Sequence, residues 1–174
     1  MSLLSRDRAA VLVVDVQEGF RSYETFGAMA AACGKLVEGA HILGVPVVAT
    51  AQYPKGLGAV VPEVGLDGEE PVEKTVFSAA RADGFDLGGR DQVVVGGIEA
   101  HICVSQTVHD LLEQGVEVHV ARDAVASRHP GDLEVGLRKM ERAGAVTSSV
   151  ETAVFELCER AGTPEFKAVQ AVIK

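Results

Sequence analysis

Apolar positions along the chain fall into short unbroken runs separated by longer stretches in which they recur every three or four residues. Residues 9–14 form a continuous apolar run closed by Asp15, the pattern of a strand buried on both faces. Met29, Ala32, Cys33, Leu36, Val37, Ala40 and Leu43 then recur at helical spacing, and Gly44 follows as a stop. Residues 45–51 and 93–98 predict two more strands. Val104, Thr107, Val108, Leu111 and Leu112 line a helix ended by Gly115, and residues 117–121 alternate as a strand. Leu133, Leu137 and Met140 share a helical face, with Asp132 as the expected N-cap and Gly144 just past the end. Residues 145–147 predict a short last strand.

Near the C-terminus, Ser148 and Glu151 have capping-box spacing ahead of Val154 and Leu157. Thr163-Pro164 opens a final helix whose buried stripe is Phe166, Val169 and Ile173. Alternating β and α units predict an α/β fold: a three-layer, Rossmann-like parallel sheet of about six strands with helices on both faces. The expected organisation is a single domain over residues 1–174. Residues 52–71 break the alternation, with three prolines (54, 62, 71) and four glycines (56, 58, 65, 68). Such a stretch reads as an irregular loop, either solvated, or covering the site or meeting a neighbouring subunit.

Composition narrows the partners. Lys and Arg number 16 against 25 Asp and Glu, a formal net charge of −9, so no basic stripe exists to displace counterions from DNA or RNA. Nucleic acid is not an expected partner. No apolar stretch reaches the roughly 20 residues that span a bilayer, and the start lacks a basic segment followed by an apolar signal core, so neither a membrane nor export is expected. Three cysteines, an odd number, do not make a disulfide framework; the expected location is a reducing cytoplasm.

The glycine-rich phosphate loop, the dinucleotide fingerprint, the G-x-S-x-G elbow and the H-E-x-x-H zinc motif are all absent. The five histidines show no metal spacing; His101 and His109 lie about two helical turns apart. Parallel sheets place ligands at the carboxyl ends of strands, which directs attention to the residues just past each strand. Asp15 ends the first strand; alone it reads equally as a turn or capping aspartate. Lys74, in Glu73-Lys74-Thr75-Val76-Phe77-Ser78, alone reads as a solvated charge. Cys103 comes five residues after the 93–98 strand, near a helix start, where unpaired N–H groups favour thiolate over thiol. The expectation is a pKa below the ordinary value of about 8.5. Cys33 and Cys158 sit on apolar helical faces and read as core residues.

Three segments, Val-Val-Asp-Val-Gln-Glu-Gly-Phe (13–20), Glu-Lys-Thr-Val-Phe-Ser (73–78) and Gly-Gly-Ile-Glu-Ala-His-Ile-Cys-Val (96–104), occur in an order that resembles the signatures of isochorismatase-like cysteine hydrolases. Residues 52–58 and 156–167 are similar to the isochorismatase-domain-containing subgroup. The resemblance implies a catalytic triad: Asp15 as general base, Lys74 holding it and stabilising the thiolate, and Cys103 as the nucleophile that forms a thioester. It also implies a cis peptide at Ile98–Glu99 and an oxyanion hole from the backbone N–H groups of Glu99 and Cys103. The metal-binding histidines of nicotinamidases have no counterpart in Ala51-Gln52-Tyr53-Pro54-Lys55, so no metal and no cofactor are expected. True isochorismatases carry glycine where Cys103 stands, so the retained thiol implies hydrolysis of a C–N bond in a small amide or ureide.

Phe20, Tyr53 and Phe77 are candidates to line a pocket for that small molecule, or else to pack in the core. Relatives are often dimers or larger, so a homo-oligomer is expected. Two other readings stand beside the hydrolase: a non-catalytic binding or scaffold protein that keeps the site, and a thiol redox sensor built on Cys103.

Overall fold

The computed structural model describes residues 2–174. Six strands form one all-parallel sheet: β1 (Ala9–Val14), β2 (Val47–Gln52), β3 (Val72–Lys74), β4 (Gln92–Ile98), β5 (Glu117–Ala126) and β6 (Val146–Ser148), in the order β3-β2-β1-β4-β5-β6. The α/β expectation is borne out. Every residue of β1 and β4 is buried, as their unbroken apolar runs require of central strands.

The helices are α1 (Phe26–Leu43), the single turn α2 (Pro54–Leu57), α3 (Ser105–Glu113), α4 (Pro130–Ala143), α5 (Val150–Cys158) and α6 (Pro164–Ile173). Helix α1, with α5 and α6, covers the sheet face that carries Val11, Val13 and Val94. Helices α3 and α4 cover the face that carries Leu12, Val14, Val93 and Val95. Among the described residues no helix is long and apolar enough to cross a membrane.

Strand order reverses between β1 and β4. Connections from β1 run outward through β2 to β3, and those from β4 run the other way through β5 to β6. The carboxyl ends of β1 and β4 therefore flank the switch point at which doubly wound sheets open a crevice. Gly97 belongs to this junction: at φ 124°, an added Cβ would lie 2.1 Å from the Val14 carbonyl oxygen.

Several local details differ from the pattern in the sequence. Helix α4 is capped at His129 rather than Asp132, because Pro130 presets the first helical position and forces the preceding residue to be extended. Helix α5 is capped by Ser149, whose Oγ accepts from the Thr152 N–H at 3.1 Å; Ser148, the expected cap, still belongs to β6. Thr163 caps α6 as expected. Strand β5 continues five residues beyond the alternating segment, past a register irregularity against β4.

Residues 52–71 are not an irregular excursion. They hold α2 and a 3-10 turn at Pro62–Val64, bury Val61 and Val64, and lead directly into edge strand β3, which the apolar pattern did not predict. The segment is tied down by a His41–Glu69 contact of 2.7 Å and by Arg21, whose guanidinium donates to both oxygens of Glu63 at 2.7 and 3.0 Å. Close approach is possible because α1 presents Gly34 here: a Cβ would stand 2.4 Å from the Glu63 carbonyl oxygen.

Gly34→Ala should therefore cost about 1–3 kcal/mol by overpacking. Gly27→Ala on the same helix meets nothing within 4 Å and should be neutral or stabilising by up to about 1 kcal/mol. Thermal denaturation of the two variants checks the contrast; equal melting temperatures would show that the segment is not clamped on α1.

Candidate active site

Asp15 follows the last residue of β1 in the left-handed region, at φ 55°, a conformation that aspartate tolerates better than most residues. Its N–H still reaches the Thr50 carbonyl at 3.2 Å, and the Thr50 hydroxyl returns a bond to Asp15 Oδ1 at 2.7 Å. The other carboxylate oxygen, Oδ2, accepts from Lys74 Nζ at 2.7 Å, with both side chains completely buried. Lys74 closes β3. Its remaining protons go to Gln52 Oε1 at 2.6 Å and the Phe77 carbonyl at 2.9 Å. An ammonium can donate three bonds, and all three are used.

Cys103 lies in a π-helical turn, Ala100–Val104, between β4 and α3. The Ile98–Glu99 peptide before it is cis. The Glu99 carbonyl accepts from the N–H groups of Ile102 and Val104 and passes over that of Cys103. The Cys103 carbonyl accepts from the Thr107 hydroxyl at 2.7 Å, and the same hydroxyl receives the Ala79 N–H at 2.8 Å, joining this turn to the segment after Lys74.

The thiol is only 7% exposed, and burial, foremost, pushes its pKa up to about 12; the Asp15 charge adds to this and Lys74 opposes it. This corrects the expectation of a lowered pKa. The positive end of a helix is weaker here than desolvation beside a carboxylate. Burial beside the Asp15 carboxylate thus favours the thiol of Cys103 over the thiolate.

The fold thus brings Asp15, Lys74 and Cys103 together from three separated segments. Phe20, Tyr53 and Phe77 do not converge equally. Tyr53 lines a cavity of about 370 Å³ together with Pro54, Lys55, Lys74, Val76 and Arg81. Lys74 belongs both to this cavity and to the buried pair with Asp15; neither Asp15 nor Cys103 lines the cavity. Phe20 packs edge-on against Tyr23 with ring centroids 5.5 Å apart, and Phe77 is about half exposed.

His101 bonds across to Ser127 Oγ at 3.0 Å, and His109 bonds within its own helix to the Ser105 carbonyl at 2.7 Å. Among the described residues no three His, Cys, Asp or Glu side chains cluster as a metal site. Cys33 and Cys158 are buried in the α1 side of the core.

Three supporting residues are not apparent from the sequence. Gln17, fully buried, accepts from the Gln52 N–H at 2.8 Å and donates to its carbonyl at 3.0 Å, acting as a strand partner at the end of β2. Thr50 and Gln52 hold Asp15 and Lys74. Only the fact that they alternate along β2 beside Asp15 could have pointed to them.

The isochorismatase domain family model matches residues 9–152. The chain belongs to the isochorismatase family. Mouse isochorismatase domain-containing protein 2A is 38% identical over 97% of this chain and 84% of its own length. A structure described as MAR1 ribonuclease from Caenorhabditis elegans superposes with TM-score 0.91 at 36% identity, covering 99% of this chain and 92% of that one. The Escherichia coli YcaC gene product, described as an octameric hydrolase of unknown specificity, shares the isochorismatase-like fold at TM-score 0.86 and 21% identity, covering 99% and 91%.

Replacing Asp15 by Asn removes a charge that raises the thiol pKa, so thiolate should form at lower pH in Asp15→Asn than in the parent. Ultraviolet thiolate absorbance, read in a Cys33→Ser/Cys158→Ser background, checks this. A parent midpoint below the ordinary value of about 8.5 would contradict the electrostatics described here.

Proposed function

We propose that this member of the isochorismatase-like hydrolases is a metal-independent cysteine hydrolase that cleaves a C–N bond of a small amide or ureide. The observation that carries the reading is the fully buried Lys74–Asp15 pair at 2.7 Å beside an otherwise protonated thiol. A thiol with a high pKa is a poor nucleophile until a base removes its proton as it attacks. Asp15 takes that proton while Cys103 Sγ bonds to the carbonyl carbon.

The resulting oxyanion is met by the backbone N–H groups of Glu99 and Cys103. Collapse breaks the C–N bond, Asp15 returns the proton to the departing amine, and a thioester is left on Cys103. Water, deprotonated by Asp15, then releases the carboxylic acid and restores the thiol. Lys74 keeps Asp15 oriented throughout and offsets the negative charge that gathers near the sulfur.

The raised thiol pKa weighs against a redox-sensor reading, since oxidation follows thiolate character. The ribonuclease in the name of the C. elegans relative is weighed against a net charge of −9, which disfavours binding to a phosphate backbone. In this reading the chain acts as one unit over residues 1–174, in the cytoplasm and without a cofactor, and assembles as a homo-oligomer, as the octameric YcaC does.

Screening small primary amides and ureides for ammonia release tests the proposal. Turnover is expected in the parent, and Cys103→Ala should lower kcat by about 10³-fold or more. A mass increase on Cys103 equal to the acyl group should be trapped by acid quench. Turnover that survives Cys103→Ala, or RNA cleavage in place of ammonia release, would overturn it.

A further inference from the structure

His119 is a core residue whose polar atoms are left unmet. Among the described residues neither of its ring nitrogens has a hydrogen-bond partner, although the residue is only 3% exposed. It stands two residues after Glu117 on β5, in register with Val94 of β4 on one side and Val146 of β6 on the other. Val94 belongs to the sheet face covered by α1, α5 and α6, so the His119 ring enters that face too.

Residues 2–5 close the same corner. The Ser2 hydroxyl donates to Glu117 Oε2 at 3.0 Å, the Leu4 N–H to Glu156 Oε2 at 3.1 Å and the Ser5 N–H to Gln92 Oε1 at 2.9 Å. These bonds tie the segment to the first residues of β4 and β5 and to α5. Packing holds it less well. Leu4 is buried, but Leu3 is exposed, and a cavity of about 570 Å³ lies among Leu3, Leu4, Thr152, Phe155 and Glu156.

A neutral imidazole carries one donor and one acceptor, both unmet here. A proton would make both nitrogens donors and bury an unpaired charge, which is far costlier. Glu156 and Glu117 favour that proton, and the α-amino group opposes it. Glu151 of α5 and Lys35 and Glu38 of α1 are exposed, and His41 of α1 pairs with Glu69. Arg6 bonds the Leu157 and Cys158 carbonyls, and Arg8 bonds Asp91. Burial outweighs the two acids and holds the His119 pKa below the ordinary imidazole value. Both of those acids also hold residues 2–5, so lifting that segment admits water to the ring and frees both carboxylates.

We propose that residues 2–5 are an acid-released latch, seated while His119 is neutral and lifted from α5 and the amino ends of β4 and β5 when the imidazole takes a proton. The latch lies at the opposite end of the sheet from Cys103 and is independent of the proposed reaction. Below the ordinary imidazole value of about 6.5, the lifted state binds a proton that the seated state refuses, so seating weakens as pH falls.

Backbone hydrogen exchange of the full chain at about pH 7.5 and about pH 5.5 tests this. Protection of the Leu4 and Ser5 amides, relative to the intrinsic rate at each pH, should fall about tenfold over that interval, as a lifted state titrating near 6.5 requires. In His119→Leu and His119→Gln, which are uncharged at both values, it should change less than about twofold. Parent protection that does not fall, or a tenfold fall kept by either folded variant, overturns the latch. Where neither variant folds, the imidazole titration of the parent, read by NMR, decides. A midpoint below about 6.5, with protection lost in step, supports the latch, and one at or above that value overturns it.

Discussion

A completely buried ammonium and carboxylate, 2.7 Å apart, set the terms for the end of the sheet that carries the candidate site. Two charges removed from water are tolerated only when their remaining donors and acceptors are also met. Here Thr50 meets Asp15, while Gln52 and the Phe77 carbonyl meet Lys74. Those partners come from the end of β2 and from the chain after β3, so satisfying one ion pair requires three adjacent strand ends and the 75–77 segment to take fixed positions. Losing one member of such a pair costs about 3–5 kcal/mol. The same arrangement holds a carboxylate whose charge acts on the thiol without leaving it free to drift.

The consequence for chemistry is a division of labour. Desolvation makes the thiol hard to ionise at rest, and in the proposed mechanism the adjoining carboxylate takes its proton at the moment of attack. A permanently ionised sulfur would be more exposed to oxidation. Asp15 is paired with Lys74 at 2.7 Å, which fixes the charge beside the sulfur.

The strands of the sheet interior are legible in the sequence because a strand buried on both faces has to be apolar throughout, and 9–14 and 93–98 are. Helices α1 and α3 are legible because their buried stripes repeat at 3.6 residues. Edge strand β3 is not, since a three-residue strand ending in Lys74 carries too few apolar positions to show a period. Residues 52–71 look irregular for a related reason. Their order comes from Gly34, Arg21 and His41 on other elements, contacts that leave no mark in local sequence. The caps at His129 and Ser149 are displaced by one to three residues because Pro130 and the length of β6, rather than the best capping side chain, decide where those helices begin.

From sequence alone come the fold class and the three side chains, Asp15, Lys74 and Cys103, that the fold brings together, because apolar periodicity and spaced motifs are properties of chain order. Tertiary structure alone decided their electrostatic state. Whether a cysteine near a helix start is a thiolate or a thiol depends on how much water the fold removes and which charges it sets beside the sulfur. Those are distances between segments far apart in the chain, and a helix start read from local pattern has the wrong sign for them.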